Sequence, residues 1–135
     1  MKIGFTGTRF GMTDSQKKTF SLLLRCLKPT DFFHGDCVGA DNEAATIYND
    51  LYGPNQITVY PPVDNTHRAH NKSYGQCKQP QTHLARNRSI VNDCDTLIVC
   101  PFNDQHQTRG GTWYTFDYAL SRQGKMIIII WPNGK

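Results

Sequence analysis

Apolar positions in this chain fall into two alternating patterns, short unbroken runs and stripes at helical spacing. Lys2 to Phe5, Asp31 to His34, Gln56 to Tyr60, Thr96 to Cys100 and Lys125 to Trp131 are the runs, and each reads as a strand. The four consecutive isoleucines of the last run show no alternation, the expectation for a strand buried on both faces. Between the runs, Phe20, Leu23, Leu24 and Leu27 form an apolar stripe on a helix that begins after Thr13. Thr13 and Gln16 have capping-box spacing there, and Pro29 ends the helix. A second helix, from about Ala40 to Asn49, turns Ala44, Ala45, Ile47 and Tyr48 inward, and Gly53-Pro54-Asn55 makes the following turn. A third, from about Thr82 to Asp93, directs Leu84, Ile90 and Val91 inward, and the last runs from Thr112 to Gln123 before Gly124.

Strands alternating with helices from end to end predict an α/β fold, a Rossmann-like three-layer sandwich with a mostly parallel, doubly wound sheet. In such sheets the winding reverses beside the first strand, and ligands bind at the carboxyl ends of the strands near that switch point. The exception to the alternation is the polar stretch from Pro61-Pro62 to about Gln81, long enough to be a lid, a binding loop or a disordered segment.

At 135 residues the chain is expected to form one domain over its full length, residues 1–135. A hydrophobic fraction of 38% and a charged fraction of 19% exclude a disordered composition. The net charge of +4 is unevenly placed: Arg68, Lys72, Lys78, Arg86 and Arg88 lie between His67 and Arg88 with no acidic residue among them. A solvated basic face and attraction of a phosphate-bearing ligand both fit that cluster, and nucleic acid is a weaker third reading. Five cysteines without CxxC or zinc-type spacing point to a reduced compartment. Cys26, Cys94 and Cys100 are expected in the core, and Cys37, in a glycine-rich loop, is the one to watch for reactivity. No signal peptide precedes Lys2 and the longest apolar run, Met126 to Trp131, is too short to span a bilayer, so a cytoplasmic protein is expected.

Candidate chemistry gathers where strands hand over to helices. Thr6-Gly7-Thr8-Arg9 follows the first strand, Gly35-Asp36-Cys37-Val38-Gly39-Ala40-Asp41 the second, and Arg109-Gly110-Gly111-Thr112 the strand ending at Cys100. Glycines at a helix start leave backbone N–H groups and the positive end of the dipole open to an anion. The expected ligand-binding residues are therefore Thr6, Gly7, Thr8, Arg9, Gly35, Asp36, Gly39, Asp41, Arg109, Gly110, Gly111 and Thr112. Arg9 and Arg109 supply guanidinium groups for phosphate, and Asp36 and Asp41 can accept from ribose hydroxyls. For Asp41, helix capping is the equal alternative. Arg86 and Arg88 cannot share a helical face, and Arg86, nearer the helix start, is the one expected at the pocket. Trp113, Tyr114 and Tyr60 fit base stacking and core packing equally well. His67, His70 and Cys77 lack the periodic context of a metal site, no GxSxG elbow occurs, and neither a metal nor a cofactor is expected.

Taken in order, Ile3-Gly4-Phe5-Thr6-Gly7-Thr8-Arg9, His34-Gly35-Asp36-Cys37-Val38-Gly39-Ala40-Asp41, Ala85-Arg86-Asn87-Arg88 and Arg109-Gly110-Gly111-Thr112-Trp113 resemble the SLOG superfamily. These are Rossmann-like domains related to the cytokinin-activating LOG proteins and DNA-processing protein A, and the similarity is greatest to small stand-alone bacterial and phage members. The resemblance implies a pocket for a nucleotide-derived small molecule, either ADP-ribose-like or a cyclic nucleotide signal. It also implies a homo-oligomer. Enzymatic members carry GGxGTxxE, whose glutamate serves hydrolysis of an N-glycosidic bond; here Thr115 stands at that position. The nearest acid, Asp117, is two residues on, about 200° around a helix. Binding without turnover, as a phage anti-defence sponge sequesters a signal, is therefore the leading expectation. An N-glycosidase using Asp36, Asp41 or Asp117 is the alternative, and single-stranded nucleic-acid binding a second one.

Overall fold

A computed structural model describes all residues from Met1 to Lys135. Six strands, β1 (Lys2–Gly7), β2 (Asp31–His34), β3 (Ile57–Val59), β4 (Gln76–Cys77), β5 (Thr96–Cys100) and β6 (Met126–Ile129), form one sheet in the order β4-β3-β2-β1-β5-β6. Every neighbouring pair is parallel. The helices are α1 (Asp14–Leu27), α2 (Ala40–Tyr52), α3 (His83–Asp93) and α4 (Gly111–Leu120). Winding runs outward from β1 to β4 and then reverses to β5 and β6, so the switch point lies between β1 and β5.

Two cores, one on each sheet face, follow from the two-residue period of a strand. Ile3, Phe5 and Phe32 pack with Phe20 and Leu24 of α1 and with Ala44 and Tyr48 of α2. On the other side Phe33, Leu97 and Val99 pack with Ile90 and Val91 of α3 and Ala119 of α4. The predicted capping box is present, with the Gln16 N–H donating to Thr13 Oγ1 and the Thr13 N–H to Gln16 Oε1, both at 3.0 Å. Buried Gln16 also donates through Nε2 to the carbonyls of Pro101 and Ile130, at 2.9 Å each. The start of α1 is thereby tied to the carboxyl ends of β5 and β6.

Several expectations are corrected. β6 is an edge strand with one neighbour, so Ile127, Ile128 and Ile129 are only half-buried and Ile130, beyond the strand, is the buried one. Leu84 is exposed rather than inward, because the first turn of α3 borders an open cavity instead of the packed core. Cys26 is exposed, while Cys94 and Cys100 are buried as expected. The polar stretch after Pro61 is no free lid: it contributes β4 beside β3, and Pro62 bridges to Gln81. No helix is long and apolar enough to cross a membrane.

Candidate functional site

The three glycine joints converge at the carboxyl end of the sheet around a cavity of about 600 Å³. Its wall takes Thr6, Gly7, Thr8 and Arg9 from the first joint, Cys37 and Asp41 from the second, and Arg109, Gly110, Gly111 and Thr112 from the third. His83 and Arg86 come from α3, and His67 from the long connection. Gly35, Asp36 and Gly39 stand behind this surface rather than in it.

The second joint is a braced floor. Asp36 is fully buried at φ 56°, its carboxylate accepting from Arg68 Nε and from the Asn71 N–H, both at 3.0 Å. The Ala69 N–H donates to the Asp36 carbonyl at 2.7 Å and the Val38 N–H to the His67 carbonyl at 2.8 Å. These bonds lay the long connection against the joint and deliver His67 to the pocket, where its Nε2 lies 2.9 Å from an Arg9 guanidinium nitrogen. The Asp36 carboxylate thus engages Arg68 and Asn71, partners more than thirty positions away that nothing in the sequence marked.

Asp41 accepts the backbone N–H groups of Gly35 and Cys37 through Oδ2, at 3.2 and 3.3 Å. It lies in the first turn of α2, whose N-cap is Gly39, and bonds back to the loop instead of capping. Burial pushes its carboxyl up to about 6, against the lowering influence of Arg86 and the two N–H donors. It is the one carboxylate in the pocket wall. Desolvation also lifts the Cys37 thiol to about 11, with Asp41 adding to the effect, which leaves it a poor nucleophile at neutral pH. His34, directly before the joint, is held neutral by complete burial, which lowers it to about 4. Its Nδ1 accepts the Asp36 N–H at 3.0 Å, and its Nε2 has no partner.

Arg86 is buried and donates to the carbonyls of Gly35 and Tyr60, to Asn87 Oδ1, and toward His83. It braces the end of β2 and places a cation in the cavity wall. Arg88 points away and donates to the Tyr114 hydroxyl at 2.7 Å. Of the five cations in the basic segment only Arg86 lines the cavity.

The third joint differs from the other two. α4 begins at Gly111 with Gly110 as N-cap at φ 108° and no side-chain cap, so its first N–H groups stand open. A β-carbon added at Gly110 or Gly111 would meet nothing within 4 Å. Thr115 is buried and donates to the Gly111 carbonyl at 2.8 Å, bonding back within its own helix. Asp117 pairs with His106 at 2.8 Å, outside the pocket wall. Trp113 packs against Phe116, His106 and Trp131 and also lines the cavity, whereas Tyr60 is buried with its hydroxyl on Asp93 and does not. Two rings that sequence reasoning passed over, Phe10 and Phe102, stand at the rim. Each was an isolated apolar residue in a loop, with no periodicity to draw attention to it.

No cluster of metal-ligating side chains is present. A second groove, of about 510 Å³, crosses the sheet face beside β3 and β4 and is lined by Asp31, Thr58, Gln76, Lys78, Asn92 and Asp93. It mixes charges of both signs and has no glycine joint. The strand-end cavity is the candidate site because open N–H groups and cations meet there.

No protein-family model matches this chain, and no curated protein matches it by sequence. Among solved structures it resembles the molybdenum cofactor binding protein from the phototrophic bacterium Rippkaea orientalis, with a TM-score of 0.71 and 19% identity. The match covers 97% of this chain and 77% of the other. The likeness establishes the Rossmann-like architecture.

Proposed function

We propose that the strand-end pocket binds a nucleotide-derived small molecule, ADP-ribose-like or a cyclic nucleotide, and holds it without turnover. The observation that carries this reading is the third joint, an uncapped helix start with open space at Gly110 and Gly111, in a cavity whose wall also carries Arg9 and Arg109. Phosphate fits there: the open N–H groups donate, the helix dipole favours the negative charge, and guanidinium groups close over it. Asp41 Oδ1 engages no group of the protein and can accept from a ribose hydroxyl. A structural neighbour named for binding the molybdenum cofactor supports small-molecule binding by this architecture, and that cofactor belongs in the ligand panel. Sequestration is the role that suits holding without cleavage, since Thr115 occupies the place of the LOG glutamate.

One observation favours a second reading, N-glycosidic hydrolysis. Asp41 is the one carboxylate in the wall, and a carboxyl raised to about 6 suits a general acid. Incubation with ADP-ribose, a cyclic dinucleotide, nucleoside monophosphates and the molybdenum cofactor, followed by denaturation and chromatography, separates the two. Intact ligand recovered from the protein is the expected result. Release of free base would replace the sponge with the hydrolase, and no retention of any of them would remove both.

A further inference from the structure

Of the ten large apolar side chains left exposed, three share one cavity. Phe10 is 70% exposed, Phe102 63% and Leu84 49%, and all three line the strand-end cavity. They arrive from the turn after β1, the loop after β5 and the first turn of α3, so three separate connections bring apolar surface to one opening. The two phenyl rings meet with centroids 5.4 Å apart and planes inclined at 58°. Arg9 stands over Phe10, its guanidinium carbon 5.2 Å from the ring centroid. Single exposed apolar residues need no explanation, but a group of them at a pocket mouth does. A phenyl ring in water forfeits the burial that makes it stabilising elsewhere, and these two have only each other and one cation.

The surroundings set the size and polarity of the missing partner. A cavity of about 600 Å³ suits a small molecule rather than a helix or strand of another protein. The same cavity carries Arg9, Arg86, Arg109 and the open start of α4. A ligand that satisfies both parts is anionic in one portion and flat and apolar in another. We propose that Phe10 and Phe102, with Leu84, form a subsite for the planar heterocycle of the ligand. The site then takes phosphorylated heterocycles in preference to sugar phosphates or inorganic phosphate. This deepens the nucleotide reading above and rests on it. Because every base has a π-face, a phenyl pair selects for a ring without choosing which base it is.

The test is calorimetric titration of AMP and of ribose 5-phosphate into the wild type, Phe10→Ala/Phe102→Ala and Phe10→Tyr/Phe102→Tyr. Wild type is expected to bind AMP tighter than ribose 5-phosphate by about tenfold or more. The alanine pair should abolish that ratio by weakening AMP alone, with the melting temperature unchanged, and the tyrosine pair should keep it. Equal affinities of wild type for the two ligands, or a ratio that survives the alanine pair, would overturn the subsite and leave the phosphate pocket standing. A wild-type dimer that the alanine pair converts to monomer, with the ratio intact, would assign the rings to subunit association instead. Failure of wild type to bind either AMP or ribose 5-phosphate would overturn this proposal, and failure to bind ADP-ribose and a cyclic dinucleotide in the same titrations would remove the pocket reading with it.

Discussion

Glycine serves opposite purposes at the two ends of this pocket. At the first two joints it is needed because another part of the protein already fills the space: a β-carbon on Gly7 would come within 2.6 Å of the Ala40 β-carbon. One on Gly35 would overlap the Arg86 guanidinium, and one on Gly39 the Arg9 carbonyl. At the third joint a β-carbon on Gly110 or Gly111 would meet nothing. The same residue type after the same kind of strand is packed against protein in one place and left open in the other. The first two joints are the floor that holds Asp41 and Arg86 in position, and the third leaves the start of α4 uncovered, as the proposed phosphate seat requires.

That contrast can be broken most severely at Gly39. It combines φ 86° with a backbone overlap that no rotamer relieves, so Gly39→Ala is expected to lose about 3 kcal/mol or more in chemical denaturation. A near-neutral result would mean that the floor is not braced as described. The floor should next reveal itself in its pH dependence. His34 is lowered to about 4, so between that value and its ordinary 6.5 the unfolded chain binds the extra proton, and stability rises with pH. Asp41 is raised to about 6, so between 3.8 and 6 the folded chain binds the extra proton, and stability falls as pH rises. The two slopes oppose each other over pH 4 to 6. Asp41→Asn keeps an acceptor for the Gly35 and Cys37 N–H groups but removes one slope. Its stability should then drop by roughly 2–3 kcal/mol between pH 6.5 and 4, which thermal melts across that range will register. A profile parallel to the wild type would show that Asp41 does not carry the opposing slope.

A smaller packing effect is expected at Gly7, where the clash is with one methyl group. Gly7→Ala should cost about 1–3 kcal/mol, read from the denaturation midpoint. Smallest of all is Gly111→Ala, expected within about 1 kcal/mol of wild-type stability because the methyl enters empty space at a helix start. Its effect belongs to the ligand, which the methyl should hinder. A stability loss at Gly111 as large as that at Gly7 would erase the distinction between the joints.

The sheet, its winding and the switch point were legible because strands buried between helices must be written as apolar runs, and Thr13 with Gln16 marked the first helix to the residue. β4 was not: Gln76 and Cys77 are exposed, and a two-residue strand held by backbone bonds to β3 leaves no apolar signature. Position in the sheet was equally hidden, since four isoleucines read alike in a central strand and at an edge. For the site, a glycine-rich string does not say whether its empty side faces the protein or a ligand. That difference depends on Arg86, Arg9 and Ala40 arriving from elsewhere, which makes it a tertiary property. His67 reached the wall by the same route, through a loop whose anchor, Asp36 with Arg68 and Asn71, spans more than thirty positions.

The proposed phosphate seat combines the open start of α4 with Arg9 and Arg109 of the same cavity wall. Calorimetric titration of the best binder among ADP-ribose, a cyclic dinucleotide and AMP into wild type, Arg9→Ala and Arg109→Ala probes it without intermediate steps. Each substitution is expected to weaken binding by about 1.5–3 kcal/mol, the loss of a charged hydrogen bond, with melting temperatures at the wild-type value. Unchanged affinity in both variants would contradict the account and place the ligand elsewhere.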